Sequence, residues 1–125
     1  GFADAINHYL RTELKWEKKD PYHVLNDVSP WNYGQAKNQY LNMSQSLITT
    51  LTKNKKTRVF VGSGFFDLAT PYFSVDYTLN HLGLESEDRA RIVEKFYPAG
   101  HMFYTKEDAR KLFKKDLTEF YKGKS

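Results

Sequence analysis

Residues 58–121 alternate between two short apolar runs and two segments of helical period, and this alternation constrains the fold more than any other feature. "TRVFVGS" is β-branched and aromatic, lies between a Lys-rich stretch and Gly62, and predicts a buried strand over 58–63. "PYFSVDYTLNHLGL" predicts a helix over 72–82, with Pro71 near its first turn and Gly83 just past its end. "RIVEKFYP" alternates like a second strand over 91–97. "TKEDARKLFKKDLTEFYKG" predicts a helix over 106–121, with Thr105 and Asp108 as a capping box and Leu112, Phe113, Leu117 and Phe120 as its buried stripe. Strand, helix, strand, helix is the order of an α/β fold with parallel strands and right-handed helical crossovers. In such sheets functional groups gather beyond the carboxyl ends of the strands. Asp67 follows the first strand there and "AGHM", residues 99–102, follows the second. The two loops are therefore expected to be neighbours.

Upstream, Phe2, Ala5, Ile6, Tyr9 and Leu10 predict an amphipathic helix over 2–14. "KKDPYHVLNDVSPWNYG" is a long loop, expected to be anchored by Tyr22, Trp31 and Tyr33. A second helix is expected over 35–52, with Ala36, Tyr40, Met43, Leu47 and Leu51 on one face. The chain then divides into a helical segment, 1–57, and a strand-helix-strand-helix unit, 58–125, packed as a single folded domain. Only one strand is available to cover an edge of the first, so its other edge is expected to stay open.

Several classes of function find no support. Nineteen basic and fifteen acidic residues leave a net charge of +4, but the charges are interspersed and no groove-reading motif accompanies them. The runs Lys53–Arg58 and Arg110–Lys115 read as a solvated loop and the outer face of a helix, so nucleic acid is not an expected partner. No apolar run approaches the roughly 20 residues that span a bilayer, and no leader-like segment opens the chain, so no membrane is expected either. There is no cysteine, which excludes disulfides and thiolate metal sites. No His-x-x-x-His or related spacing suggests a metal, and "GSG" at 62–64 is too short for a phosphate loop; no cofactor is expected. His8 and His81 read as surface or helix-end residues, and His23 as a loop residue.

An acid and a histidine remain. A carboxylate beside an imidazole fixes the ring's tautomer and stabilises the imidazolium when the ring takes a proton. Asp before His is the tail of the order Ser…Asp…His in α/β-hydrolases. Gly100 is expected to let the backbone bend so that His101 reaches inward. "RVFVGSGFFDLATPYFSVDYTLNHLGL" with "FYPAGHMFY" resembles the C-terminal part of the serine carboxypeptidase family, its bacterial branch in particular. Gly64-Phe65-Phe66-Asp67 is similar to that family's acid turn, and Gly100-His101-Met102 to its base turn. "NHYLRTEL", "PYHVL" and "PWNYG" resemble the segment before those strands, so the likeness covers nearly the whole chain.

The resemblance implies the C-terminal portion of an α/β-hydrolase, with Asp67 and His101 catalytic and Gly100 and Met102 beside the substrate. It implies a peptide substrate, a secreted or periplasmic location, and the remaining N-terminal part of the hydrolase domain as partner. The sequence departs from many eukaryotic relatives in carrying Phe65 where they have a second Asp, and in having no Cys. It also contains no Gly-x-Ser-x-Gly elbow, and Ser63 has the wrong spacing for one. Two readings stay open: the acid/base part of a serine carboxypeptidase, inactive by itself, or a non-catalytic peptide- or protein-binding module on the same fold.

Overall fold

Phe2, Ile6 and Leu10 recur at helical spacing, and they lie in α1 (Phe2–Thr12). A computed structural model describes residues 1–27 and 29–123, divided into two compact units, Gly1–Leu41 and Asn42–Ser125. The division thus falls ahead of the second long helix, and not at the expected 57/58 boundary. In the first unit the loop after α1 folds back and is clipped to it. Asn7 Nδ2 donates to Tyr22 O (2.9 Å), and Tyr22 N donates to Asn7 Oδ1 (2.7 Å). The expected aromatic anchoring does not occur: Tyr22, Trp31 and Tyr33 are exposed, and no described residue of this unit is buried. Polar clips hold this loop in place of a core.

The helix expected over 35–52 is interrupted. A 3₁₀ turn covers Gly34–Ala36, and α2 begins only at Ser44, running to Lys53. Asn38 has φ 63°, a left-handed conformation that ends a right-handed helix, and Asn42 Oδ1 accepts from Ser44 N–H at the new start. Tyr40, placed by periodicity on the apolar face, is fully exposed.

In the second unit β1 (Val59–Gly64) pairs in parallel with β2 (Ile92–Tyr97), in a register running from Val59↔Ile92 to Gly64↔Tyr97. The connection carries α3 (Tyr72–Asn80) and a short α4 (Ser86–Arg89), the latter not foreseen from the sequence; α5 (Glu107–Tyr121) closes the chain. The unit is mixed α/β with a two-stranded parallel sheet. Among the described residues each strand has one neighbour, so both outer edges carry unpaired backbone groups.

Alternation along β1 covers both faces of the sheet. Val59 and Val61 pack with Leu51 of α2, Leu79 of α3 and Ile92 of β2. Phe60 points the other way, against Phe113 and Phe120 of α5, beside the cluster of Tyr97, Ala99, Phe103 and Ala109. Parallel sheets need this two-sided cover. Tyr97 is buried there, its hydroxyl 3.1 Å from Asp116 Oδ2; burial, with the Asp116 bond and charge adding to it, pushes the phenol well above its usual range.

Two details of α5 differ from expectation. Thr105 does not cap it: its hydroxyl donates to Met102 O (2.8 Å) inside a 3₁₀ turn, Phe103–Thr105, and Lys106 takes the cap position. Glu107 and Asp108 still place negative charge in the first turn, where the helix dipole favours it. Leu112 is exposed and Phe113 only half-buried, because α5 turns Ala109 most squarely inward. Gly83 and Gly123 both have positive φ just past their helices, where a residue without a Cβ turns the chain away. No helix among the described residues is long and apolar enough to cross a membrane.

Candidate functional site

The acid turn begins at Gly64, the last residue of β1, where the backbone passes against residues 99–100. A Cβ on Gly64 would lie 2.3 Å from Gly100 O and 2.6 Å from Ala99 O, so only glycine permits this approach. Phe65 N–H then donates to Tyr97 O and Phe66 N–H to Ala99 O, both at 3.0 Å. These bonds tie the acid turn to the loop after β2. The base turn is fixed from its other side: Phe103 stacks on Tyr97 at 4.7 Å, and Lys106 Nζ donates to Pro98 O. His101 lies between those anchors.

Asp67 is buried and its carboxylate accepts four hydrogen bonds. Oδ1 takes Ala69 N–H (2.8 Å) and Thr70 N–H (2.9 Å). Oδ2 takes the Thr70 hydroxyl (2.6 Å) and meets His101 Nδ1 at 2.8 Å. Four is the full acceptor capacity of an ionised carboxylate. The Thr70 hydroxyl and amide, with smaller contributions from His101 and Ala69, hold the carboxyl well below the usual carboxylate range against the opposing effect of burial. A carboxylate thus saturated takes its bond from Nδ1–H, which leaves the lone pair on Nε2. The His101 side chain is 61 % exposed, and among the described residues Nε2 has no hydrogen-bond partner. The pair can therefore accept a proton at Nε2 and stabilise the resulting imidazolium through Asp67.

Of the residues singled out in the sequence, Asp67 and His101 are brought together. Gly100 needs no special conformation: a Cβ there would meet nothing closer than Phe66 O at 3.7 Å. The glycine that the site requires is Gly64. Met102 is about half exposed. Ser63 is buried in β1, and no hydrogen bond joins it to His101. His81 stacks on Tyr77, while His8 and His23 are exposed in the first unit. Among the described residues no group of three or more His, Asp or Glu could hold a metal. Sequence reasoning missed Thr70, although Asp followed three residues later by Thr is a side-chain-to-backbone capping spacing that could have found it.

No protein-family model matches the chain, and comparison with curated proteins and with solved structures gives no significant match.

Proposed function

We propose that this chain supplies the acid and base of a Ser-His-Asp acyl-transfer site, as the C-terminal portion of an α/β-hydrolase of serine carboxypeptidase type. The carrying observation is the 2.8 Å contact between Asp67 Oδ2 and His101 Nδ1 at the carboxyl ends of adjacent parallel strands. A serine from a part of the protein outside this sequence attacks the carbonyl of a peptide's C-terminal bond. His101 Nε2 takes the serine proton and delivers it to the departing amino acid, while Asp67 orients the ring and offsets its charge. Water then repeats the cycle on the acyl-enzyme. Gly100 and Met102 flank the base on the substrate side of this scheme.

Phe66, Leu68 and Tyr104, exposed apolar side chains on the two turns, favour the second reading, a peptide-binding surface without chemistry. Hydrolysis of a blocked dipeptide separates the two. Residues 1–125 alone give no turnover. A longer form bearing a Gly-x-Ser-x-Gly elbow hydrolyses the substrate and loses activity on His101→Ala. Activity that survives His101→Ala rules out the acid/base role, and a longer form with no activity at all favours the binding module. Turnover by 1–125 that vanishes on His101→Ala would place the nucleophile inside this chain and refute the division of labour.

A further inference from the structure

Residue 70 grips both oxygens of the Asp67 carboxylate. Its N–H donates to Oδ1 at 2.9 Å and its hydroxyl to Oδ2 at 2.6 Å. The same hydroxyl oxygen lies 3.4 Å from His101 Nδ1. No other described side chain hydrogen-bonds both members of the pair.

We propose that Thr70 is the positioning residue of the acid/base pair, fixing the carboxylate's rotation and, through it, the proton on His101 Nδ1. Without the hydroxyl, the carboxylate is held by the Ala69 and Thr70 amides, which share Oδ1, and by the exposed His101 ring that it has to orient, so it can still swing about its Cβ–Cγ bond. The hydroxyl bond to Oδ2 is the second point that stops this rotation and leaves one lone pair aimed at the imidazole. A hydroxyl has a single hydrogen. With that hydrogen directed at Oδ2, Thr70 Oγ1 presents only lone pairs to Nδ1. Both neighbours of Nδ1 are then acceptors, so the ring carries its proton there and keeps Nε2 free to act as base. The strong depression of the Asp67 pKa, whose largest cause is this hydroxyl, has the same origin.

The inference rests on the acid–base reading of Asp67 and His101, but its test needs no peptidase activity. Thr70 is exposed, so Thr70→Val, which keeps the shape and removes the hydroxyl, leaves the second unit folded. Nitrogen-15 NMR of the imidazoles in the folded chain reports which ring nitrogen carries the proton, and the Asp67 carboxyl carbon reports its own titration. Thr70→Val is expected to lose the fixed Nδ1–H tautomer of His101 and to shift the Asp67 titration upward. Thr70→Ser, which keeps the hydroxyl, restores both. An unchanged His101 tautomer in Thr70→Val overturns the proposal, and so does a Thr70→Ser chain as disturbed as Thr70→Val. Should Thr70→Val unfold, Thr70→Ala is read in its place: loss of the fixed Nδ1–H tautomer upholds the proposal, and an unchanged tautomer overturns it. Inactivity of a longer, serine-bearing form would remove the hydrolase reading and leave these signals as they are.

Discussion

Asp67 and Asp88 are both buried carboxylates of the second unit, and they sit at opposite ends of the same two strands. Asp88, 2 % exposed, lies at the amino end, where Lys55 Nζ (2.7 Å) and Arg91 Nη2 (2.6 Å) both reach its Oδ1. Arg91 also donates to the carbonyls of Leu51, Asn54 and Thr57, so the cluster staples α2 and the approach to β1 onto the start of β2. Both acids are held below the usual carboxylate range, Asp88 by Lys55 first and then Arg91, Asp67 by Thr70. What differs is the partner. Asp88 is neutralised by two permanent cations and is almost wholly enclosed. Asp67 is held by neutral donors and one exposed, titratable ring, so its charge stays available when that ring takes a proton. A depressed carboxylate pKa does not by itself separate a staple from a site; the chemistry and exposure of the partner do.

The largest effect expected from breaking this comparison is on activity. In a serine-bearing form, Asp67→Asn lowers kcat/KM by about 10⁴-fold, because an amide offers the wrong donor to the ring. Asp88→Asn leaves kcat/KM within a few-fold at temperatures where the protein is folded. Comparable losses in both variants, measured by initial rates, would erase the distinction.

Stability should divide the other way. Leu51, fully buried beside the Asp88 staple, contributes no atom to the site. Leu51→Ala is expected to cost roughly 2–5 kcal/mol in denaturant unfolding and to leave the His101 tautomer unchanged while the chain is folded. Gly64→Ala should cost a comparable amount, about 3 kcal/mol or more, because its Cβ would meet backbone oxygens at 2.3 and 2.6 Å, and it should abolish that tautomer by forcing the two turns apart. A folded Gly64→Ala chain with a native His101 signal would mean that the close approach to residues 99–100 does not position the pair.

The smallest effect is a pH dependence. Asp67 has its folded pKa below the ordinary 3.8, so its contribution to stability is complete above that value. It is lost as pH falls from there toward the folded pKa, where the folded state also binds the proton. Below the ordinary carboxylate value of 3.8 the difference in unfolding free energy between the native chain and Asp67→Asn therefore narrows on acidification. A gap that widens in acid contradicts the sign.

The sequence exposes the parallel strands, the helices 72–82 and 106–121 that cover them and the placing of Asp67 and His101 on neighbouring strand-end loops, because strand period, glycine stops and strand-end position are local signals. That the two residues act as a pair is implied by the resemblance alone. It does not expose the break between Ala36 and Ser44, where the left-handed Asn38 overrides a sound apolar periodicity. Thr105 matches a capping box in type and spacing, but the 3₁₀ turn it belongs to depends on Phe103 packing against Tyr97. Gly64 and Gly100 look alike in the sequence. Only the approach of two backbones distant along the chain singles out Gly64.

The hydrogen bond from His101 Nδ1 to the Asp67 carboxylate requires the ring's proton on Nδ1 and leaves Nε2 open. Nitrogen-15 NMR of residues 1–125, at a pH where the ring is uncharged, reads this directly, with His8 and His23 as internal references. His101 alone of these three is expected to be fixed as the Nδ1–H tautomer. Asp67→Asn moves the proton to Nε2, because the amide presents an N–H to the ring, and Asp88→Asn changes nothing. A His101 ring that averages its tautomers, or that is indifferent to Asp67→Asn, would contradict this arrangement.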